Sequence, residues 1–352
     1  METIRITDLF SGAGGMSAGL LRASSRFQIA EAVELNSDAS ATFAANFPDA
    51  IVRNVPIQDW LKAYTPEKSD VVVGGPPCQG FSSLGKGKSS DLNSLWESYA
   101  RAVEIISPDY FILENVPQFL KSEQFKVFQQ SLESGHLKNY EIEPPRVLDA
   151  SDYGVPQRRK RILVLGTKKG KPKLTYPRKL ESAEVSVRQA WVGIPHETIG
   201  IDLPDRFVSV NGNSRPGKFQ TNELHLSRNY TELSMKRFLS IPYGGSRHSL
   251  PESLQAPCWR GFTKGASDVM GRLRWENPSV TIRTEFFKPE KGRYLHPEAN
   301  RAITHWEAAR LMQFPDSYFW VGSKTSIARQ IGNAVPLGLM AAVGDNLLRM
   351  YR

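Results

Sequence analysis

A cysteine stands in Gly74-Gly75-Pro76-Pro77-Cys78-Gln79-Gly80-Phe81-Ser82, just past a short apolar run at residues 70–73. The two prolines stiffen the turn and leave the thiol no packed place to be. A thiolate is a strong nucleophile near neutral pH when its surroundings depress its pKa. Cys258, in Ala256-Pro257-Cys258-Trp259, lacks that setting and reads as a small packing residue. A carboxyl follows a second apolar run in Phe111-Ile112-Leu113-Glu114-Asn115-Val116-Pro117. Burial at a strand end would raise its pKa and keep it protonated, able to donate to a ring nitrogen. Arg159 and Arg161 occupy alternate positions running into a strand, so they are expected on one face, where two guanidiniums can bind a carbonyl or a phosphate. The bland alternatives are a helix-capping acid and an exposed basic edge.

A glycine-rich turn, Ser11-Gly12-Ala13-Gly14-Gly15, follows the short β-rich run 4–10 and opens a helical segment at 16–24. Such a turn aims backbone N–H groups at a nucleotide-like ligand. The dinucleotide fingerprint needs a third glycine where Ser17 stands, so a nicotinamide oxidoreductase fails here, and it would leave Cys78 without a role. Glu34, at the end of the strand-like residues 27–33, is placed to accept from ribose hydroxyls or, more plainly, to start a helix. Residues 330–336, Gln-Ile-Gly-Asn-Ala-Val-Pro, read alone as a turn.

The elements that must carry these groups alternate. Strand-like runs at 4–10, 27–33, 70–73 and 109–113 are separated by helical stretches at 16–24, 37–46 and 99–106. That alternation predicts an α/β fold with a doubly wound, mostly parallel sheet, and the near-continuous apolar strands predict cover on both faces. Residues 80–94 read as a mobile loop and 161–166 as the last strand of the sheet. Helices are expected at 304–313 and 337–350. Between 168 and 277 periodicity is poor, which predicts a second, smaller, irregular β-rich domain. The expected division is 1–170 for chemistry, 171–280 for recognition, and 281–352 returning to the first domain.

Charge is distributed unevenly over the 352 residues, whose net charge is +9. Residues 1–150 hold 13 bases and 19 acids, whereas residues 151–300 hold 26 bases and 14 acids. A basic second half favours a polyanion partner over ordinary solvated lysines. Two cysteines exclude a disulfide-stapled fold and a cysteine-rich zinc site, and no metal is expected. No apolar run is long enough to span a bilayer and no secretory signal is visible, so a cytoplasmic protein is expected.

Taken together, the chain resembles the bacterial-type cytosine-C5 DNA methyltransferases. Phe10 to Gly15, Pro77-Cys78-Gln79, Glu114-Asn115-Val116, Gln157 to Arg161, the Glu307-Ala308-Ala309-Arg310-Leu311 and Phe314-Pro315 pattern, and Gly332 to Pro336 occur in that family's order. The resemblance implies S-adenosylmethionine as cofactor and a target-recognition domain in the unmatched basic segment. It implies that Cys78 adds to C6 of a flipped-out cytosine, that Glu114 serves N3, and that Arg159 and Arg161 hold the O2 edge. For the cofactor it implies Phe10 near the adenine, Ser11, Gly12, Ala13, Gly14 and Gly15 along the methionine part, and Glu34 on the ribose. Asn54, Val55, Pro77, Leu95 and Asn333 complete that set. Asn54 stands where the family usually has Asp, Asn93 and Trp306 where it usually has Arg.

Double-stranded DNA is the expected partner, met by a monomer, with restriction or phage-defence proteins encoded alongside. Ser82, Lys86, Arg215, Lys218, Arg228, Arg247 and Lys264 are the candidate DNA contacts. The related tRNA cytosine-C5 methyltransferases are the alternative, disfavoured by the length of the recognition segment. A non-enzymatic DNA-binding relative would have lost Cys78 or Glu114, and both are present.

Overall fold

Val71, Val72 and Val73 are wholly buried, as a strand covered on both faces must be. They sit in a computed structural model that describes residues 2–77, 89–181, 184–260 and 267–351, with the backbone alone for 89–94. Cys78, Ser82, Lys86 and Lys264 therefore lie outside the described residues. Contacts divide the chain into two units. One comprises Met1–Tyr153, Lys160–Glu181 and Val335–Arg352; the other comprises Gly154–Arg159 and Ser182–Ala334.

In the first unit β1 (Ile4–Leu9), β2 (Phe27–Val33), β3 (Ile51–Arg53), β4 (Val71–Gly74) and β5 (Tyr110–Asn115) run parallel, in the order β3-β2-β1-β4-β5. Parallel neighbours need long crossovers. Helices α1 (Gly15–Ala23), α2 (Ser37–Asn46), α3 (Ile57–Ala63) and α4 (Ser89–Ile106) supply them. The chain winds outward from β1 to β3 and then returns to β4. This reversal between β1 and β4 opens a crevice at the carboxyl ends of the strands. After α5 (Glu123–Ser134) the sheet ends antiparallel, with β8 (Lys160–Lys168) paired to β5, β6 (Tyr140–Ile142) and β7 (Arg146–Asp149).

Trp60, Trp96, Tyr99, Phe111 and Phe119 form the core between sheet and helices, with Trp96 stacked on Phe119 at 4.7 Å. A C-terminal helix, Leu337–Met350, lies against α1. The approach depends on glycine, because a Cβ on Gly19 would stand 2.5 Å from the Met340 Cβ.

Some expectations change. Residues 89–94 were read as part of a loop but open α4. Residues 161–166 form a strand as expected, and it runs antiparallel to β5 in an otherwise mostly parallel sheet. Residues 330–333, read as a turn, are the last turn of a helix (Lys324–Asn333).

The second unit is loop-rich. It contains α6 (Val187–Ala190), β9 (Phe207–Val210), β10 (Asn213–Gln220), α7 (Glu232–Ser240), α8 (His305–Leu311), β11 (Phe319–Val321) and α9, the helix Lys324–Asn333. β9, β10 and β11 form a three-stranded antiparallel sheet. Arginines replace much of the missing ladder. Arg272 donates to the carbonyls of Phe238, Ile241, His296 and Ala299 at 2.7–3.0 Å. Arg301 grips Glu307 in a bidentate, buried pair at 2.7 and 2.8 Å. Among the described residues no single helix is long and apolar enough to cross a membrane.

Candidate active site

The crevice edge collects most of the predicted groups of the first unit: Phe10 and Glu34 directly follow β1 and β2, Glu114 is in the last two residues of β5, and Arg161 is the second residue of the antiparallel β8. Phe10 comes directly after β1 with φ 57°, an unusual backbone for a residue with a side chain. Gly12 (φ 55°) and Gly14 (φ 88°) complete the reversal, and Gly14 caps α1 with its N–H on the Ser11 carbonyl at 2.9 Å. Ala13 and Gly15 are buried in the same turn. Phe10, Val55 and Leu95 are all partly buried against one core cluster.

Glu34 ties two neighbouring turns together. One carboxylate oxygen accepts from the Gly12 N–H at 2.8 Å and the other from the Asn36 N–H at 2.7 Å. Burial pushes its pKa up, against the pull of those two donors. Asn54 donates through Nδ2 to the carbonyls of Glu34 (2.8 Å) and Leu35 (2.9 Å), which turns its side-chain oxygen away from them. Leu35, which the sequence reading passed over, is 65% exposed beside this pair.

Asp8 is a second carboxyl under the turn. It is buried and accepts from the Ser17 hydroxyl at 2.6 Å, and burial raises its pKa to about 7, with the nearby Glu34 charge adding to the rise. Asp8 Oδ1 and Ser11 Oγ are buried with no hydrogen-bond partner among the described residues. Ser17, which broke the dinucleotide fingerprint, thus has a structural role.

At the other side of the crevice Arg161 Nε lies 2.7 Å from Glu114 Oε1, both side chains being largely buried. The pairing gives Glu114 a guanidinium neighbour that the sequence reading expected to hold the O2 edge instead. Gly75 is needed beside it: a Cβ there would stand 3.0 Å from Glu114 Oε2. Asn115, not singled out from the sequence, donates through Nδ2 to the Pro76 carbonyl at 3.1 Å and accepts the Val116 N–H at 2.7 Å. It links the end of β5 to the turn that leads through the exposed Pro77 to Cys78.

Arg159 does not share a strand face with Arg161. β8 begins at Lys160, and Arg159 is buried in the second unit. Its Nη1 and Nη2 donate to the carbonyls of Ile282 and Gly332, each at 2.8 Å. Asn333 is the last residue of α9, next to that clamped carbonyl. Gln157 adds a further tie, accepting the Ile282 N–H at 2.9 Å. Trp306, where arginine is frequent in the resembled family, donates to Asp316 at 2.7 Å, and Arg310 grips the same carboxylate.

Other predicted DNA contacts scatter over the second unit. Arg215 lies on β10 opposite Val208. Lys218 Nζ sits 4.7 Å from the Phe319 ring centroid. Arg228 donates to the Phe287 carbonyl at 3.3 Å and lies beside Tyr230. Arg247 is buried. Among the described residues no group of three or more His, Cys, Asp or Glu could hold a metal ion.

Comparison with known proteins covers nearly the whole chain. Residues 4–349 match the family model for C-5 cytosine-specific DNA methylase. The Type II methyltransferase M1.HphI of Haemophilus parahaemolyticus is 32% identical, over 97% of this chain and 86% of the relative. The Type II methyltransferase M.XorII of Xanthomonas oryzae is 30% identical, over 98% and 84%. In fold, the chain is similar to a prophage-encoded E. coli protein described as a DNA modification methyltransferase, with TM-score 0.74, 24% identity and 99% of both chains covered. The chain belongs to the C-5 cytosine-specific DNA methylase family.

Proposed function

We propose that this protein transfers a methyl group from S-adenosylmethionine to C5 of a cytosine flipped out of a short duplex DNA sequence, as a Type II modification enzyme. The observation that carries the reading is the set of groups at one sheet edge: the Phe10–Gly15 turn, Glu34, the Pro76-Pro77 turn and the Glu114–Arg161 pair. The curated relatives are named as Type II DNA enzymes, so the tRNA alternative is not favoured.

The residues fit the cofactor. Ser11 Oγ and Asp8 Oδ1 are orphaned under the glycine turn, where a polar ligand would complete them. Glu34 retains lone pairs for ribose hydroxyls beyond the two N–H groups it accepts. Phe10, Val55, Leu35 and Leu95 offer apolar surface to a base. Bound there, S-adenosylmethionine supplies an electrophilic methyl group.

Cytosine C5 is a poor nucleophile. Addition of the Cys78 thiolate to C6 forms a C–S bond and makes C5 electron-rich. Glu114 donates a proton to N3, where negative charge would otherwise develop, and Arg161 holds its carboxyl group in place. With the cofactor bound, C5 would take its methyl group and the sulfonium would leave as a neutral thioether; loss of the C5 proton to solvent would then expel Cys78 as the thiolate, restoring the enzyme. A duplex hides C6 in the stack, so the base must leave the helix first. The role in the cell would be protection of host DNA beside a restriction or other phage-defence system.

A duplex with 5-fluorocytosine at the target position tests the chemistry. Fluorine cannot leave as the proton does, so the Cys78–C6 adduct should persist as a denaturant-stable complex that requires cofactor. Absence of that complex, with methylation of ordinary DNA intact, would remove Cys78 from the reaction.

A further inference from the structure

The second unit carries 22 Lys and Arg against 14 Asp and Glu, net +8. Most of its buried arginines are occupied: Arg159, Arg272 and Arg301 spend their guanidiniums on carbonyls or on Glu307. Arg247 is different. It is 7% exposed, and its Nε is buried with no hydrogen-bond partner among the described residues; Arg159 Nε is likewise unpartnered, but both Nη atoms of Arg159 are engaged. A buried guanidinium nitrogen without a partner is costly, and most buried polar groups in proteins are hydrogen-bonded.

The surroundings add positive charge. Arg247 follows the Gly244-Gly245-Ser246 turn, and its N–H is held by the Val269 carbonyl at 3.0 Å. Arg293 Nη1 holds the carbonyls of Gly244 (2.9 Å) and Gly245 (3.1 Å), and the Arg272 N–H holds Gly245 O at 3.0 Å. Arg274 lies so close that a Cβ on Gly244 (φ 66°) would stand 2.6 Å from its Nε. Gly271 gives Arg293 the same room, a Cβ there standing 2.8 Å from Arg293 Cγ. The side chains of Arg247, Arg274 and Arg293 thus gather at one turn, which the Arg272 backbone N–H also braces, and Asp268, 3.1 Å from Arg293 Nε, is the acid paired with them among the described residues.

We propose that Arg247 binds a backbone phosphate of the DNA, with the Gly244–Gly245 turn as its rigid mount. This rests on the DNA reading above and deepens it. A recessed guanidinium cannot reach base edges deep in a groove, whereas a phosphate oxygen stands out from the duplex and can come to it. Phosphate pairing also supplies the counter-charge that the free protein lacks. The contact positions the enzyme and selects no sequence.

The test is DNA binding by the full-length protein and its R247M variant. The probes are a duplex carrying the sequence modified in cells and a scrambled duplex of equal length, each titrated across salt concentrations. R247M should bind both duplexes about tenfold more weakly. It should reduce the slope of log K against log salt by about 1. Its thermal midpoint should not fall, since methionine removes a buried guanidinium nitrogen that has no partner among the described residues. An unchanged slope with a lowered midpoint would make Arg247 a structural residue and overturn the proposal. A loss confined to the modified sequence would make it a base reader and overturn it equally. Failure of the unaltered protein to bind either duplex would instead defeat the DNA reading beneath it.

Discussion

Arg161 and Glu114 form a largely buried ion pair, Nε to Oε1 at 2.7 Å, between adjacent antiparallel strands at the mouth of the crevice. Removing either partner leaves an uncompensated charge close to the target ring. R161M and E114Q should each slow methyl transfer by at least about 100-fold. R161K should recover part of the loss, because it restores the charge but not the fixed direction of Nε. Single-turnover methylation rates measure this. Wild-type rates in E114Q would take Glu114 out of the reaction.

Arg159, two residues earlier, should behave differently. Its guanidinium holds the carbonyls of Ile282 and Gly332 inside the second unit. R159M should lower folding stability by about 2–4 kcal/mol, from two lost charge-assisted bonds and two carbonyls left unsatisfied. Urea unfolding of R159M and R161M side by side separates the roles. A stable, inactive R159M would give Arg159 a direct part in catalysis.

Asn115 should act through the turn that carries Cys78. N115A removes the bond to the Pro76 carbonyl, a net loss of about 1 kcal/mol. The expected signature is a lower rate of adduct formation on 5-fluorocytosine DNA with cofactor affinity unchanged. An unaltered adduct rate would confine Asn115 to folding.

Asp8 predicts a pH dependence. Its pKa rises from 3.8 to about 7 on folding. Between those values the folded protein keeps a proton that the unfolded chain has released, so stability falls as pH rises and levels off above about pH 7. His296 and His305 act in the opposite sense. Their pKa values drop to about 3 and about 4, so stability is lost as pH falls below the ordinary histidine range. The difference between wild type and D8N isolates the carboxyl. D8N should gain on wild type from pH 5 to pH 8, at about 1.4 kcal/mol per pKa unit of the shift. A constant difference across that range would show that Asp8 ionises freely.

Much of this site was legible because strand ends are legible. Val71, Val72 and Val73 announce a covered strand, so the residues that follow must lie at the sheet edge. The same logic placed Glu34 and Glu114. It failed at Arg159, where alternation along a strand was assumed one residue before β8 begins. Charge counting misled in a related way. Arg272 and Arg301 look like polyanion binders in a sequence, yet they serve as internal ties for a unit with little regular structure. Short strands such as β3 and β6, three residues each, leave too little periodicity to detect. Asn115 was hidden for another reason: its partner, Pro76, is 39 residues away.

The central claim is methylation of cytosine in DNA by Cys78. Bisulfite sequencing of plasmid and host DNA, from cells expressing the protein or its Cys78→Ser variant, addresses it directly. The account predicts protected cytosines within one short sequence motif, absent from the variant. Protection that persists in the variant, or none with the active protein, would contradict it.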